Sequence, residues 1–310
     1  MNSSPTDSKP DRHGFASHLC YFQSGDHTAG WMPRDQVRLS IDDVGFRQGV
    51  TAVERLRTYD GDVFCIDLHL SRWNQTLADL QINLDASNLV ADLLDTLVVK
   101  NRLLIQSQGD VGITLFATPG EKNAANPTLC LHLNPIDHAM VDRKQHQGQA
   151  VVVTDIQQPP NQCWPRTAKV RSRIHYYLAD HLARQQDSSA IGLLIDGDGS
   201  VTETSVANIA IVESGCIVSP EPTQILAGIT QSVAMEIAAE ASIGWTQARI
   251  TPDRLRAADE VLLMGTDTGI WFANQVDGNT INRGKRGPVC EDLQRLFLKA
   301  TRANPSIDLE

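Results

Sequence analysis

Apolar and polar positions in the first half of the chain alternate between the two-residue period of strands and the longer period of helices. Helices are predicted from about His69 to Leu80 and from about Ala86 to Lys100. Strands are predicted at QVRLSI (36–41), on both sides of the YDGD turn in VERLRTYDGDVFCI (53–66), at GDVGITLFATPG (109–120) and at TLCLHLNPI (128–136). Strands and helices that alternate in this way indicate an α/β fold.

The second half is richer in strands. They are predicted at AVVVTDI, AIGLLID, SVTETS, NIAIVE, CIVS, WTQARI and EVLLM. One helix, from about Arg173 to Gln186, has Ile174, Tyr177, Leu178 and Leu182 on one face, and TQSVAMEIAAEA forms another after Gly228. A short helix is expected after Thr251. We therefore predict a flexible tail (1–17), a smaller N-terminal α/β domain (18–137), a linker (138–149) and a larger C-terminal domain (150–303).

Composition narrows the classes of protein that fit this pattern. The chain has 310 residues, is 41% hydrophobic and carries a formal charge of -10, which argues against a nucleic-acid partner. No run approaches the roughly 18 apolar residues of a membrane helix, and the polar start lacks the apolar core of a secretory signal. Six scattered cysteines show no metal-ligand spacing. We expect a cytoplasmic protein with reduced thiols, no metal and no membrane partner.

A lysine precedes a helix-patterned, aromatic run in RTAKVRSRIHYYLAD, residues 166–180. Taken singly, Lys169 is most simply a solvated charge, and so are Glu203 in SVTETS and Arg72 in HLSRW. The chain, however, has 20 arginines and only 7 lysines. A neutral amine is a nucleophile and a base, roles that a permanently protonated arginine cannot fill. If Lys169 is a buried amine and not a surface charge, it is a candidate for the centre of the chemistry.

Several motifs occur around this lysine in a fixed order. After Lys169 come DGDGSVTETSVAN with Glu203 and Asn208, LAGIT ahead of a helix, ADEVLLMGTDTG, VDGNTI and RGKRGP. Together they resemble the fold-type IV pyridoxal-phosphate enzymes, which include branched-chain and D-amino-acid aminotransferases and aminodeoxychorismate lyase. The resemblance runs from about residue 20 to 300. In the N-terminal half, matches fall at Asp43, Gly45, Phe46, Gly49, Glu54, His69 and Arg72, but GVTAVE replaces the family's GDGVFE.

This resemblance implies a fold, a cofactor and a set of residue roles. The fold would be a two-domain α/β (α+β) fold with a β-rich pseudo-barrel as the larger domain, and the protein would be a homodimer with shared active sites. Lys169 would form a Schiff base with pyridoxal 5'-phosphate, and Glu203 would hold a proton on its ring nitrogen. The cofactor site would also include Asn208, and the phosphate would lie against Arg72, Gly228, Ile229, Thr230 and Thr266.

The same resemblance leaves the reaction and the substrate open. An aminotransferase acting on an amino acid and a 2-oxo acid is favoured by GTDTG and by RGKRGPVCEDLQRLF, and branched-chain substrates are one option. TGIW at 268–271 resembles the lyases that release pyruvate. A scaffold without catalysis is a third reading, which the intact motifs disfavour.

Substrate recognition is the least determined part of the site. Pro119, Gly112 and Thr114 stand where relatives place substrate-binding arginine and tyrosine residues, so neither D-amino-acid nor branched-chain specificity transfers. Arg57, Asp267 and Tyr176 are the predicted substrate residues, and Arg47, Arg166 and Arg171 are further candidates. The family's tyrosine, five residues after the lysine, is Ile174 here, so that Tyr176 or His175 either replaces it or packs in the core.

Overall fold

Two β-sheets with helices packed against them form the chain in the computed structural model, which describes residues 12–25, 29–84, 87–122 and 127–303. The first sheet contains β1 (Leu19–Gln23), β2 (Gly30–Pro33), β3 (Ala52–Tyr59), β4 (Asp62–Val63), β5 (Val111–Thr118) and β6 (Thr128–Pro135). Its strand order is β2-β1-β6-β5-β3-β4, and every neighbouring pair is antiparallel. The helices of this half are α1 (Arg12–Ser17), α2 (Val44–Gln48), α3 (Ile66–Asp79), α4 (Ser87–Lys100) and α5 (Arg102–Gln108).

The two faces of the first sheet have different chemistry because side chains alternate along each strand. One face packs its apolar residues, such as Leu56 and Ile113, on Trp73 of α3 and Leu94 of α4. The opposite face we call the inner face, and it is formed by Val53, Arg55 and Arg57 on β3, Gly112 and Thr114 on β5, and His132 and Asn134 on β6. The inner face therefore carries several polar side chains, unlike the face that packs on the helices.

The second sheet is larger and closes on itself. Its strands are β7 (Gln149–Gln157), β8 (Ile191–Ile195), β9 (Val201–Thr204), β10 (Asn208–Glu213), β11 (Cys216–Ser219), β12 (Trp245–Gln247), β13 (Glu260–Gly265), β14 (Gly269–Val276) and β15 (Asn279–Thr280). The order is β12-β11-β10-β13-β14-β7-β8-β9, and β9 pairs back to β10 through Glu203 and Asn208. Around it lie α6 (His138–Gln147), α7 (Ile174–Gln186), α8 (Ile229–Glu240), α9 (Pro252–Arg256) and α10 (Pro288–Ala303). This barrel-like sheet confirms the predicted fold class.

The predicted strand at QVRLSI is wrong. β2 ends at Pro33, the chain makes a 3-10 turn at Arg34–Gln36, and the residues that follow pair with no strand among the described residues. Leu39 and Ile41 are 49% and 76% exposed, so the alternating apolar positions have no buried face to fill. The strand expected after the YDGD turn is also short, because β4 ends at Val63 and α3 begins at Ile66.

Helix α7 buries a different face from the apolar stripe that the sequence shows. Ile174 and Tyr177 are 74% and 70% exposed, whereas Ala179 and Ala183 are buried. A β-carbon placed on Gly192 of β8 would lie 2.4 Å from the Ala179 carbonyl carbon. Small residues thus allow the helix to approach the sheet closely, and the larger apolar residues are left on the outside.

The predicted tail and the predicted linker, which lie outside the two predicted domains, both contain helices among their described residues. Residues 1–11 of the predicted tail lie outside the described residues, while residues 12–17 form α1, whose Phe15 is buried in the core of the first sheet. The predicted linker, 138–149, contains α6. The domain division itself stays a prediction. In the described ranges, no helix has the length and apolar character needed to cross a membrane.

Candidate active site

Lys169 is fixed where the segment before α7 runs alongside the start of β3. The Val53 amide donates to the Lys169 carbonyl (2.9 Å), and the Lys169 amide donates to Thr76 Oγ1 (3.1 Å) on α3. The Arg171 amide continues the contact by donating to the Thr51 carbonyl. These bonds hold the backbone while the lysine side chain lines a cleft. We call this cavity the lysine cleft.

The environment of Lys169 favours its neutral form. Burial lowers the pKa of Lys169 to about 8, and the charge of Arg72 acts in the same direction, while Glu54 opposes the shift. Because burial penalises the ammonium form, a larger fraction of the amine is deprotonated at a given pH than for an exposed lysine. The side chain therefore reaches the neutral state that a nucleophile and general base requires at a lower pH than an exposed lysine does.

Glu203 forms the centre of a buried hydrogen-bond network in the same cleft. Tyr176 Oη donates to Oε1 (2.6 Å), as does Gln158 Nε2 (3.1 Å). On the other oxygen, Asn208 Nδ2 and the Leu226 amide each donate at 3.1 Å. Burial raises the pKa of Glu203, an effect that these hydrogen bonds and the charge of Lys169 oppose. Four donors thus fix the carboxylate in one orientation across the cleft.

The N-terminus of α8 forms another wall of the lysine cleft. Gly228 is the residue before the helix, and a β-carbon there would lie 1.7 Å from Asn208 Oδ1, so that only glycine fits. The amides of Ile229 and Thr230 belong to the first turn, where helices lack internal acceptors and bind anions. Thr230 and Thr266 line the same cavity. This wall has the donors that a phosphate group needs.

Arg72 adds a positive charge at the same helix end. Its Nη1 donates to the Ala227 carbonyl (2.6 Å), directly before Gly228. Its Nε and Nη2 bind Glu54, which also contacts His69 Nδ1 (3.0 Å). Burial would raise the pKa of Glu54, but Arg72 and His69 outweigh it and hold that pKa well below its usual range. Glu54, which sequence reasoning treated only as a motif match, therefore orients Arg72.

The predicted substrate residues occupy three different environments. Arg57 is buried and donates through Nη1 to the Asp267 carbonyl (2.5 Å), with its guanidinium 4.2 Å from the Tyr59 ring centre. The Asp267 carboxylate accepts two bonds from Arg55. Tyr176 is a cleft residue because it binds Glu203, whereas Ile174 points to solvent. Arg57 and Asp267 thus join the inner face to the 266–268 turn of the second sheet.

The lining of the lysine cleft does not include the further arginine candidates. Arg47 is exposed and pairs with Asp42, while Arg166 makes a two-fold contact with Asp196. Arg171 is exposed beside the lysine segment. Sequence reasoning missed Arg173, which lines the lysine cleft, and Arg55. The regular alternation of residues 53, 55 and 57 along β3 was the signal that could have found Arg55.

Comparisons with known proteins agree with this geometry. The amino-transferase class IV family model matches residues 51–276. The D-alanine aminotransferase of Bacillus licheniformis is 27% identical over 271 residues, which cover 85% of this chain and 92% of that protein. The branched-chain-amino-acid aminotransferase of Pseudomonas aeruginosa is 37% identical over 124 residues, covering 39% of this chain and 40% of the relative.

A solved structure shows the same fold. The branched-chain amino acid aminotransferase of Escherichia coli superposes with a TM-score of 0.81 at 20% identity, covering 94% of this chain and 97% of that one. The family match spans most of the chain, and the residues assigned to the cofactor site from the sequence meet in one cleft. This chain therefore belongs to the class IV aminotransferase family.

Proposed function

We propose that this enzyme transfers an amino group between an amino acid and a 2-oxo acid with pyridoxal 5'-phosphate as its cofactor and Lys169 as the residue that links to it. The observation that carries the proposal is the lysine cleft itself. It combines an amine whose pKa is lowered to about 8, a buried carboxylate and a helix N-terminus beside an arginine. Family membership supports the same reaction class.

The cleft fits each part of the cofactor through a separate group. Arg72, Thr230, Thr266 and the first amides of α8 would hold the phosphate dianion, and Gly228 has no side chain to compete with Asn208 for space beside them. Glu203 would hold a proton at the ring nitrogen, and Asn208 and Leu226 keep this carboxylate in place. Pyridoxal phosphate supplies an electron sink for the reacting carbon when it is bound.

Lys169 has two tasks in this scheme. Its amine would hold the cofactor covalently, and once free it would serve as the base that accepts the proton from the substrate's Cα and as the acid that gives a proton back. General acid–base catalysis of this kind typically accelerates a reaction by about 10²- to 10⁴-fold. Tyr176 donates to Glu203 from the wall of the cleft and so helps to fix the carboxylate.

A pyruvate-releasing lyase is the alternative that the TGIW segment suggests. In the structure, Gly269 has a φ of 74° at the start of β14 and Trp271 is buried among apolar residues of the second sheet. These positions are explained by the turn and the core alone. The segment therefore gives the lyase no support, and the curated relatives described above are aminotransferases.

Half-reactions distinguish the two activities. Mixing the holoenzyme with a suitable amino acid alone is expected to remove the visible absorbance of the linked cofactor, and adding a 2-oxo acid is expected to restore it. A panel of L- and D-amino acids, followed by absorbance and by chromatography of the 2-oxo acid formed, makes the measurement. Pyruvate release from aminodeoxychorismate, with unchanged absorbance for every amino acid, would establish the lyase instead. Protein purified without any visible cofactor band would indicate a scaffold without catalysis.

A homodimer is the second part of the proposal. What we call the apolar rim is a set of exposed side chains, of which Val206 lines the lysine cleft: Ile41, Phe46, Ile174, Tyr177, Leu178 and Val206. The bond from Ser172 Oγ to the Gly49 carbonyl (2.6 Å) joins the chain just before α7 to the end of α2 and so brings two parts of this apolar rim together. An exposed stripe on a helix, continuous with such a rim, is typical of a subunit interface. A second copy of the chain is the proposed occupant.

Light scattering tests this assembly. We expect twice the 34.0 kDa chain mass for the wild type, and Tyr177→Glu should shift the mass to that of a single chain because a charge cannot be buried unpaired in the interface. Leu103→Glu, which changes an equally exposed leucine on α5, is the matched control and should remain dimeric. A fully active wild type with a mass of 34.0 kDa would refute the dimer.

The cytoplasm is the proposed location. All six cysteines are free thiols, and Cys20, Cys65, Cys130 and Cys290 are buried. Free thiols are typical of proteins kept in a reducing compartment.

A further inference from the structure

A second cavity adjoins the lysine cleft, and we call it the side lobe. The two cavities share five lining residues: Lys169, Arg173, Tyr176, Glu203 and Leu226. The first turn of α8, which has the donors for a phosphate group, lines the lysine cleft but not the side lobe. The shared residues therefore form the boundary between a phosphate side and the side lobe.

The pyridine ring of the proposed cofactor has a fixed arrangement of substituents. Its ring nitrogen and its aldehyde carbon are attached at opposite ends, so Glu203 and Lys169 would hold the two ends of the ring. The phosphate arm and the ring oxygen are attached on either side of the aldehyde. With the phosphate against α8, the ring oxygen would face the side lobe. This oxygen carries negative charge in the linked cofactor, and a buried polar atom needs a hydrogen-bond partner.

Several donors on this side are already bound to other acceptors. The Tyr176 hydroxyl donates to Glu203 (2.6 Å), and the Ser172 hydroxyl donates to the Gly49 carbonyl (2.6 Å). Gln158 Nε2 donates to Glu203 (3.1 Å) and lies 3.4 Å from Tyr176 Oη. Because a hydroxyl has a single proton to donate, neither Tyr176 nor Ser172 can bind the ring oxygen without giving up its present bond.

Arg173 has donors to spare on the boundary between the two cavities. Its guanidinium lies 4.4 Å from the centre of the Tyr176 ring and donates to the Ser205 carbonyl, and within the described ranges it makes no ion pair with a carboxylate. Burial is the largest cause of the pKa shifts of Lys169 and Glu203, and the charge of Arg173 lowers both pKa values. The positive charge of Arg173 therefore acts on both ends of the site for the ring.

The other donors of the side lobe are less suited to a charged oxygen. Arg166 is engaged with Asp196 through both of its terminal nitrogens. Burial lowers the pKa of His175 to about 4, so its ring is neutral at physiological pH, and Trp164 is neutral at any pH. A hydrogen bond between two charged groups is stronger than one from a neutral donor. Arg173 alone among these residues combines charge with a position on the shared boundary.

From this arrangement we infer that Arg173 binds the ring oxygen of pyridoxal phosphate, while the Tyr176 hydroxyl stays on Glu203. The inference rests on the proposed cofactor and adds a residue to its site. As a cation close to the link with Lys169, Arg173 also disfavours a proton on the linking nitrogen. One end of the ring is then held by neutral donors around Glu203, and the ring oxygen is held by a charged one.

Two unreactive analogues of the cofactor test the inference on the apoprotein. Pyridoxine 5'-phosphate has no aldehyde and cannot link to Lys169, and 3-deoxypyridoxine 5'-phosphate differs from it only by lacking the ring oxygen. By calorimetry, the wild type should bind the first at least about tenfold more tightly, as expected for a hydrogen bond between charged groups. Arg173→Met should bring this ratio to about one, and Arg173→Lys should keep part of it. Arg171→Met, which changes an exposed arginine that lines neither cavity, is the matched control and should keep the whole ratio.

The absorbance of the holoenzyme gives a second readout that does not depend on turnover. Its pH titration reports the pKa of the nitrogen that links Lys169 to the cofactor. Arg173→Met should raise this pKa by about one unit or more, because a neighbouring positive charge that opposes protonation is removed. Arg171→Met should leave it within a few tenths of a unit, and an unchanged pKa in Arg173→Met would contradict the inference.

Other outcomes of the binding experiment would also overturn it. A ratio that survives in Arg173→Met but is lost in His175→Phe, Trp164→Phe or Tyr176→Phe would assign the ring oxygen to that residue. Equal weakening of both analogues in Arg173→Met would mean that Arg173 only shapes the cavity. The melting temperature of each variant reports whether it is folded. A wild type that binds neither analogue would refute the cofactor itself, whereas a ratio that is independent of Arg173 refutes this inference alone.

Discussion

Replacement of Lys169 by alanine is expected to abolish amino transfer. The loss of proton transfer at the substrate's Cα alone should lower turnover by about 10²- to 10⁴-fold, and the loss of the covalent link adds to this. Neither Arg72 nor Arg173 can substitute, because a guanidinium does not deprotonate at physiological pH. Phosphate contacts at Arg72 and α8 remain, so the variant should still bind the cofactor without linking to it. Turnover and cofactor absorbance of the dialysed protein measure the two effects.

Lys144 is the matched control for this experiment. Burial also lowers its pKa, but it packs over the Trp271 ring outside the lysine cleft. Lys144→Ala should keep its activity, and borohydride should fix the cofactor on the Lys169 peptide in both the wild type and this control. Cofactor capture by the wild-type apoprotein should rise with pH through about 8, the lowered pKa of Lys169, instead of its usual 10.5. Labelling of another lysine would overturn the assignment.

Motif order along the chain was sufficient to predict which residues meet in the cleft. Lys169, Glu203 and Gly228 lie far apart in sequence, but each is held by a local backbone feature that its motif encodes. Glu203 and Asn208 face each other because the turn between them joins β9 to β10 in a fixed register. Gly228 is required by the contact with Asn208. Such constraints depend on a few neighbouring residues and so leave a recognisable pattern.

The outer part of the site could not be predicted in the same way. The position of the Arg55 side chain depends on two other residues. Gly112 on the neighbouring strand leaves space for it, and Asp267 from the other sheet binds it. No local pattern links these three positions. The environment of the apolar stripe on α7 could not be predicted for a related reason. Periodicity indicates that a helix has an apolar face, but it does not tell whether that face packs on the protein's own core or on another chain.

Glu203→Gln is expected to slow the chemical step by roughly 10²- to 10³-fold, the range measured when a single electrostatic contact to developing charge is removed. The network can accept the new amide. Asn208 Nδ2 and the Leu226 amide require an oxygen on their side, so the amide nitrogen would face Tyr176 and Gln158, whose hydroxyl and amide can both reverse to accept. Packing and cofactor binding should therefore be retained, while the negative charge beside the ring nitrogen is lost.

Glu260→Gln separates this electrostatic effect from a general effect of removing a buried carboxylate. Glu260 on β13 is as buried as Glu203 and accepts from the amides of Val289 and Cys290, but it lies at the start of α10 and outside the lysine cleft. This control should lose stability and keep its turnover per bound cofactor. Single-turnover kinetics with a saturating amino acid, together with cofactor content, make the comparison. Glu203→Gln protein that turns over at the wild-type rate would show that Glu203 does not act at the ring nitrogen. If the variant lost cofactor in proportion to its activity, Glu203 would contribute to binding alone, because a charge that acts only in the chemical step leaves affinity unchanged.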